Sequence, residues 1–318
     1  MSSVPGPVDG RLLPIQDMPL DQMATRLLDC LFKKKLHVRL REDLTELGNA
    51  LSPHELAALY QFIKAMTTED GRAQIAAFAP MWSPLTNGPG AEYSRETLFD
   101  GTILFRSAVK AAVRPALVCF TSKMNGMFMP NCRFLELLGK YPVDVVINST
   151  DSGTFGQWNL AATGSFAGSL FQLKQVLAER GIRTRLYAGA SAGCGPALYA
   201  ATLDPGTQAV LFGCRFYVPG RNIPLAEAGS AFEPICACWT GPAPQVHNIY
   251  GALQPIDRTD DRRLRALVPG TQSVALADDD THSPMVTLTA RRKLRVVLDL
   301  LVQAATGARV NFQKVIDP

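Results

Sequence analysis

A chain of 318 residues with 47% apolar and 19% charged content is long enough to bury a sizeable core, and its composition excludes a disordered or fibrous protein. The 32 basic and 28 acidic residues leave a formal charge of +4, interspersed along the chain, which is too mild to indicate a nucleic-acid partner. The opening MSSVPGPVDGRLLP lacks a charged segment followed by an apolar one, and no run approaches the roughly 18 apolar residues of a membrane span, so neither a secretory leader nor a span is expected.

Residues 1–19 are rich in Pro and Gly and read as an extended, flexible arm. From Leu20 the spacing of Met23, Leu27, Leu28 and Leu31 predicts a helix, whose basic end Lys33-Lys34-Lys35 suits the helix dipole. Ser52-Pro53-His54-Glu55, ahead of Leu56, Leu59, Tyr60 and Ile63, is a capping signal for a further helix. A short helix is expected over residues 73–79, and the Pro- and Gly-rich residues 83–90 then break the chain. This organisation predicts a helical N-terminal region over 20–110 and a second domain over 111–318.

From Arg114 onward, short apolar runs alternate with loops and helical patterns. Strands are predicted at 116–120, 143–147, 184–188, 209–212, 246–250 and 273–276, helices at 164–180 and 196–201, and one closing helix at 285–305. Such alternation implies an α/β architecture, a mostly parallel sheet flanked by helices. No internal repeat or low-complexity tract interrupts it.

Seven cysteines (30, 119, 132, 194, 214, 236 and 238) are an odd number in a chain large enough to fold without covalent staples, which fits free thiols in a reducing cytoplasm. Cys236-Ala237-Cys238 has no partner ligands nearby for a tetrahedral site, so no metal is expected, and nothing in the sequence calls for a cofactor.

Gly189-Ala190-Ser191-Ala192-Gly193 stands between the strand at 184–188 and the helix at 196–201. In a nucleophile elbow the serine occupies a strained turn, and small neighbours let strand and helix approach closely enough to hold it there. The competing explanation is a tight turn whose glycines serve packing alone. A serine hydroxyl needs a base. Of the four histidines, His37 and His54 lie in the helical N-terminal region and His247 lies in a predicted strand as a structural side chain. His282 remains, in the loop after the last predicted strand and before the last helix.

The order of these features resembles the α/β-hydrolase superfamily over residues 114–305, which implies the α/β-hydrolase fold and a serine hydrolase. The segment His247-Asn248-Ile249-Tyr250-Gly251-Ala252-Leu253-Gln254-Pro255-Ile256-Asp257-Arg258 resembles the strand and loop that deliver the acid, although Gln254 occupies the position where many members carry Asp. Asp257, Asp260 and Asp261 compete for that role. Asp257 is preferred as nearest to the strand end, Asp260 and Asp261 being explicable as acidic residues at a helix start, and Asp278 to Asp280 as a solvated turn. The resemblance also implies an oxyanion hole with Ala192 as one backbone donor and Thr121 or Ser122 as the other. Met124, Met127, Phe128 and Met129 read either as an adaptable apolar wall or as core. Residues 214–244 read either as a cap or as an ordinary Pro-rich connection, with Asp151-Ser152-Gly153 and Trp158 bordering the same region.

The activity expected is transfer of an acyl group from an ester, thioester or amide to water through Ser191. Acyl transfer to another alcohol or amine uses the same groups. An inactive binding or scaffolding protein of this fold is the alternative that Gln254 supports. The expected partner is a small-molecule or acyl-carrier substrate, with no nucleic acid and with a homo-oligomer left open.

Overall fold

The computed structural model describes residues 18–32, 37–67, 69, 90–99, 101–122, 126–148, 166–215 and 243–316. Eight strands form its centre: β1 (Tyr93–Phe99), β2 (Thr102–Ser107), β3 (Ala116–Phe120), β4 (Asp144–Asn148), β5 (Arg185–Ala190), β6 (Gln208–Phe212), β7 (Gln245–Gly251) and β8 (Gln272–Leu276). They lie in one sheet in the order β1-β2-β4-β3-β5-β6-β7-β8. β1 and β2 are antiparallel to each other and β2 to β4, while all pairs from β4 through β8 are parallel.

Strand residues alternate between two apolar layers because successive side chains of a strand point to opposite faces. Leu117 and Cys119 of β3, Val145 and Ile147 of β4, and Leu186 and Ala188 of β5 enter one layer. That layer is covered by α4 (Asn131–Leu138), α8 (Pro284–Ala290) and α9 (Leu294–Ala305). Val118, Val146, Tyr187 and Leu211 face the other layer, covered by α5 (Phe166–Glu179), α6 (Cys194–Thr202) and, through Leu264, α7 (Pro255–Leu267). Strands buried on both faces read as continuous apolar runs, which is why β3, β4 and β6 are legible in the sequence. A fully buried Leu or Val among them contributes roughly 1.5–3 kcal/mol.

A third cluster joins α1 (Leu20–Phe32), α2 (His37–Ala50) and α3 (Pro53–Met66) through Met23, Leu27, Leu47, Leu56 and Ile63, and it reaches Cys132 of α4. Asn131 at the start of α4 donates from Nδ2 to the Asn49 carbonyl at 3.1 Å and from its backbone to Asn49 Oδ1 at 3.2 Å, tying this layer to the sheet domain. The Glu55 carboxylate accepts from the Ser52 backbone N–H at 2.9 Å, as the capping signal predicts.

The structure differs from the sequence expectation in three places. The sheet begins at Tyr93, so the stretch expected to be helical up to residue 110 carries two of its strands. Helix α2 precedes the Ser52-capped helix. The closing helix is two helices separated at residues 291–293, where Arg292 takes a left-handed φ of 57°. The arm at 1–17, the Lys33 to Lys35 cluster and the expected helix at 73–79 lie outside the described residues.

Candidate active site

Ser191 follows the last residue of β5, at the carboxyl end of a strand held between β3 and β6. A single 3-10 turn, Ser191–Gly193, leads directly into α6. Ser191 has φ 52°, a left-handed conformation that is sterically unfavourable for a residue with a Cβ and that marks a position held by its surroundings. Both flanking glycines are required by close approach. A Cβ on Gly189 would stand 2.6 Å from Cys194 Cα and from the Gly193 carbonyl oxygen.

The Ser191 hydroxyl lies 2.8 Å from His282 Nε2, and His282 Nδ1 lies 2.9 Å from Asp257 Oδ1. His282 sits between β8 and α8 in a loop fastened to the segment after β7. The Leu253 backbone N–H donates to the Asp279 carbonyl at 2.9 Å, and Asp279 Oδ1 accepts from the backbone N–H of Thr281 at 2.9 Å and from its hydroxyl at 2.7 Å. Asp279 is therefore buried and structural, unlike the solvated turn expected there. Gly251 permits this approach, since a Cβ there would lie 2.5 Å from the Thr281 carbonyl oxygen. Phe128 meets the imidazole edge-on, ring centres 5.4 Å apart.

Asp257 is the third residue of α7, whose first residue is Pro255 and whose cap is Gln254. The helix thus starts earlier than Asp260, and Asp257 itself is a buried residue of its first turn, where negative charge is favoured. Asp260 and Asp261 lie in the next turn, also buried. Asp261 accepts from Asn248 Nδ2 at 2.9 Å and Ser273 Oγ at 2.6 Å, fastening α7 to β7 and β8. Burial raises the Asp260 carboxyl, against the lowering effect of Arg215 and Arg263. Only Asp257 of the three touches His282. Gln254 instead reaches the Asp280 carbonyl at 3.4 Å.

The sheet order, the left-handed serine after β5 and the histidine after β8 together fix the architecture. This is the α/β-hydrolase fold. A solved structure, the 2,6-dihydroxy-pseudo-oxynicotine hydrolase, superposes with a TM-score of 0.51 at 15% identity over 94% of this chain and 93% of that one, a span that takes in N-terminal helices as well as the sheet. Dienelactone hydrolase from Anabaena variabilis gives 0.46 at 13% identity over 68% of this chain and 97% of that one, and AbyA5 gives 0.48 at 15% over 92% and 91%. No protein-family model and no curated protein sequence matches the chain.

Within this α/β-hydrolase fold, one side chain that the sequence did not single out stands among the others. Arg215, 9% exposed in the loop after β6, donates from Nε to His282 Nε2 at 3.2 Å and pairs through Nη2 with Asp257 Oδ1 at 3.0 Å. Its Nη1 faces Asp260 Oδ2 at 4.0 Å and has no hydrogen-bond partner. Its backbone N–H donates to the Ser191 carbonyl at 3.3 Å. Because Asp257 Oδ1 can only accept, the neutral imidazole carries its hydrogen on Nδ1, directed at Asp257, which leaves Nε2 to accept from the Ser191 hydroxyl. The signal available in the sequence was only that Arg215 is the first cation after β6.

The oxyanion donors differ from expectation. The Thr121 backbone N–H already donates to the Asn148 carbonyl at 3.2 Å and that of Ser122 to the Gly126 carbonyl at 2.9 Å, so neither is open to a substrate. The first of these bonds arises because the chain leaving β3 still follows β4 at Thr121. Ala192 keeps its place in the first turn after the strand, where backbone N–H groups have no intrahelical acceptor.

His54 binds near Ser52 and Tyr93, and His247 is buried in β7 against Phe312 with neither ring nitrogen bonded. Burial lowers the His247 imidazole to about 4, as expected for a structural, neutral side chain. Met127 is core, while Phe128 and Met129 are partly buried against it. Met124, Asp151 to Gly153, Trp158, Cys236 and Cys238, and residues 216–242 of the expected cap lie outside the described residues. Among the described residues no group of three or more His, Cys, Asp or Glu could hold a metal ion, and no helix is long and apolar enough to cross a membrane.

Proposed function

We propose that this chain is a serine hydrolase that cleaves a carboxylic ester or thioester through an acyl-enzyme on Ser191. The observation that carries this reading is the unbroken chain Ser191 Oγ, His282 and Asp257, with links of 2.8 and 2.9 Å. Among the described residues nothing else requires a serine with φ 52° to point at an imidazole.

His282 Nε2 takes the proton of the Ser191 hydroxyl as Oγ forms a bond to the acyl carbon. The carbonyl π pair moves to oxygen, giving a tetrahedral intermediate beside an imidazolium, and Asp257 offsets that positive charge and fixes the ring. Collapse breaks the bond to the leaving group, which departs with the proton from Nε2. Water then repeats the sequence against the acyl-enzyme, regenerating Ser191. The Ala192 N–H, next to the nucleophile, is a donor for the carbonyl oxygen. The presence of a buried acid on His282 supports activity over an inactive scaffold, since Asp257 does from α7 what Gln254 cannot.

Incubation with a fluorophosphonate and location of the label by mass spectrometry tests this reading. Label on Ser191, lost in His282→Ala with folding intact, is expected. A well-folded protein left unlabelled, or labelled on another serine, would overturn it.

A further inference from the structure

Ser191 is not the only residue of the site that combines a side chain with a left-handed backbone. Phe128 has φ 60°, a marked outlier for a residue so bulky. Its ring stands perpendicular to the His282 imidazole, at an interplanar angle of 88° with ring centres 5.4 Å apart. Gly213, directly after β6 with φ 54°, completes the contact, since a Cβ there would lie 3.2 Å from both Phe128 Cζ and His282 Cε1. The segment that carries Phe128 is fixed on both sides of it. Met127 is fully buried in the core, the Ser122 backbone N–H donates to the Gly126 carbonyl, and the Asn131 backbone donates to Asn49 of α2. Core packing alone is served by Met127 and does not call for a left-handed phenylalanine set against an imidazole.

We propose, resting on the hydrolase reading above, that Phe128 is a positioning residue for His282. The imidazole sits in a loop and is 27% exposed, so part of it faces solvent. At rest two hydrogen bonds, to Ser191 and to Asp257, define its plane. Once Ser191 Oγ has bonded to the acyl carbon, the first of these is lost, while the proton on Nε2 must still reach the leaving group. The imidazolium is then held by Asp257 alone. One hydrogen bond fixes a direction but leaves the ring free to turn about it, and a ring that turns carries the proton away from its target. Packing has to supply the missing restraint, and Phe128 and Gly213 supply it from against the ring. Through Asn49, the helical layer helps to hold the residue that holds the base.

The Nδ1 proton of His282 gives a readout that needs no substrate, because a proton in a charge-assisted hydrogen bond to Asp257 has its own downfield resonance in the NMR spectrum of protein carrying isotope-labelled histidine. Phe128→Ala is expected to broaden or abolish that resonance. It should also lower kcat by about 10- to 100-fold with KM little changed, and equally for an acetyl and a longer acyl ester of one alcohol. Phe128→Leu, which restores bulk beside the ring, should recover most of both. Should Phe128→Ala not fold, Phe128→Gly carries the same test, since glycine holds φ 60° without a Cβ penalty. A resonance or a kcat unchanged from the wild type would overturn the assignment, as would a loss confined to KM, a loss that grows with acyl length, or no recovery in Phe128→Leu. The ring would then be core or pocket wall alone. Wild-type labelling at Ser191 separates the two levels. A wild type that is neither labelled nor active overturns the hydrolase reading and this inference with it, whereas a labelled wild type whose resonance and kcat ignore the Phe128 substitutions overturns the role of Phe128 alone.

Discussion

Gly193 lies so close to Phe120 that a Cβ on it would come within 2.1 Å of the Phe120 carbonyl oxygen and 2.6 Å of that of Thr121. The end of β3 thus packs directly on the turn that carries Ser191. Gly193 has φ −73°, which any residue adopts, so the requirement is for space and not for backbone freedom.

Gly193→Ala should accordingly be destabilising through overpacking, by roughly 1–3 kcal/mol. The atom in the way is backbone, so β3 or the elbow must shift, and labelling of Ser191 should slow as well. Thermal unfolding and the labelling rate measure the two effects. An alanine variant as stable and as reactive as the wild type would show that the contact yields freely.

The left-handed Ser191 makes an opposite prediction. Ser191→Gly and Ser191→Ala both remove the hydroxyl, but only glycine adopts φ 52° without a Cβ penalty. After the entropy that glycine restores to the unfolded chain, Ser191→Gly should be the more stable of the two by about 1 kcal/mol. Denaturant titration of both variants at one pH reads the difference, and alanine equalling glycine would mean that the turn holds no strain.

Asp257→Asn should leave the geometry in place while removing the charge that offsets the imidazolium, with a loss in turnover of roughly 10³ to 10⁴-fold. Asp260→Asn should cost turnover less than about tenfold, since Asp260 does not touch His282. Burial raises the Asp260 carboxyl, so its ionised form is held at a cost and the Asn variant should be no less stable at pH 7. Steady-state kinetics on an ester that the protein accepts compare the two. A larger effect at Asp260 would move the acid's role to that residue.

His247 sets an acid-side stability limit. Its imidazole is lowered from 6.5 to about 4 by burial, so between those values the unfolded chain binds a proton that the folded one does not. Stability is therefore lost as pH falls from about 6.5 towards 4, by up to about 3 kcal/mol. His247→Leu removes the titrating group and should flatten this part of the stability curve. Unfolding free energies at pH 7, 5.5 and 4.5 for both proteins test it, and parallel curves would assign the acid limb to other groups.

What the sequence made legible follows from how each feature is built. The turn at Ser191 is readable because a turn this tight admits only small residues at fixed positions, and β3, β4 and β6 are readable because burial on both faces leaves unbroken apolar runs. β1 is not, because Tyr93–Phe99 is an edge strand whose Ser94, Glu96 and Thr97 are exposed. The break at Arg292 has no Gly or Pro to announce it. Asp257 was preferred by its place near the strand, although the helix begins ahead of it at Pro255. The commitment of the Thr121 and Ser122 N–H groups leaves no trace in residue type, since every residue but proline carries the same donor. Arg215 is found only when β6, α7 and the His282 loop are brought together in space.

The four side chains of the site come from the ends of four successive strands across the sheet, β5, β6, β7 and β8, and the bond from Ser191 to His282 spans 91 residues. Contacts so distant in sequence carry a large loop-closure entropy and form late in folding. Reactivity towards the fluorophosphonate should then appear only in the last kinetic phase of refolding, after the apolar layers have closed. On the proposed reading, a chain still incomplete would carry no activated serine.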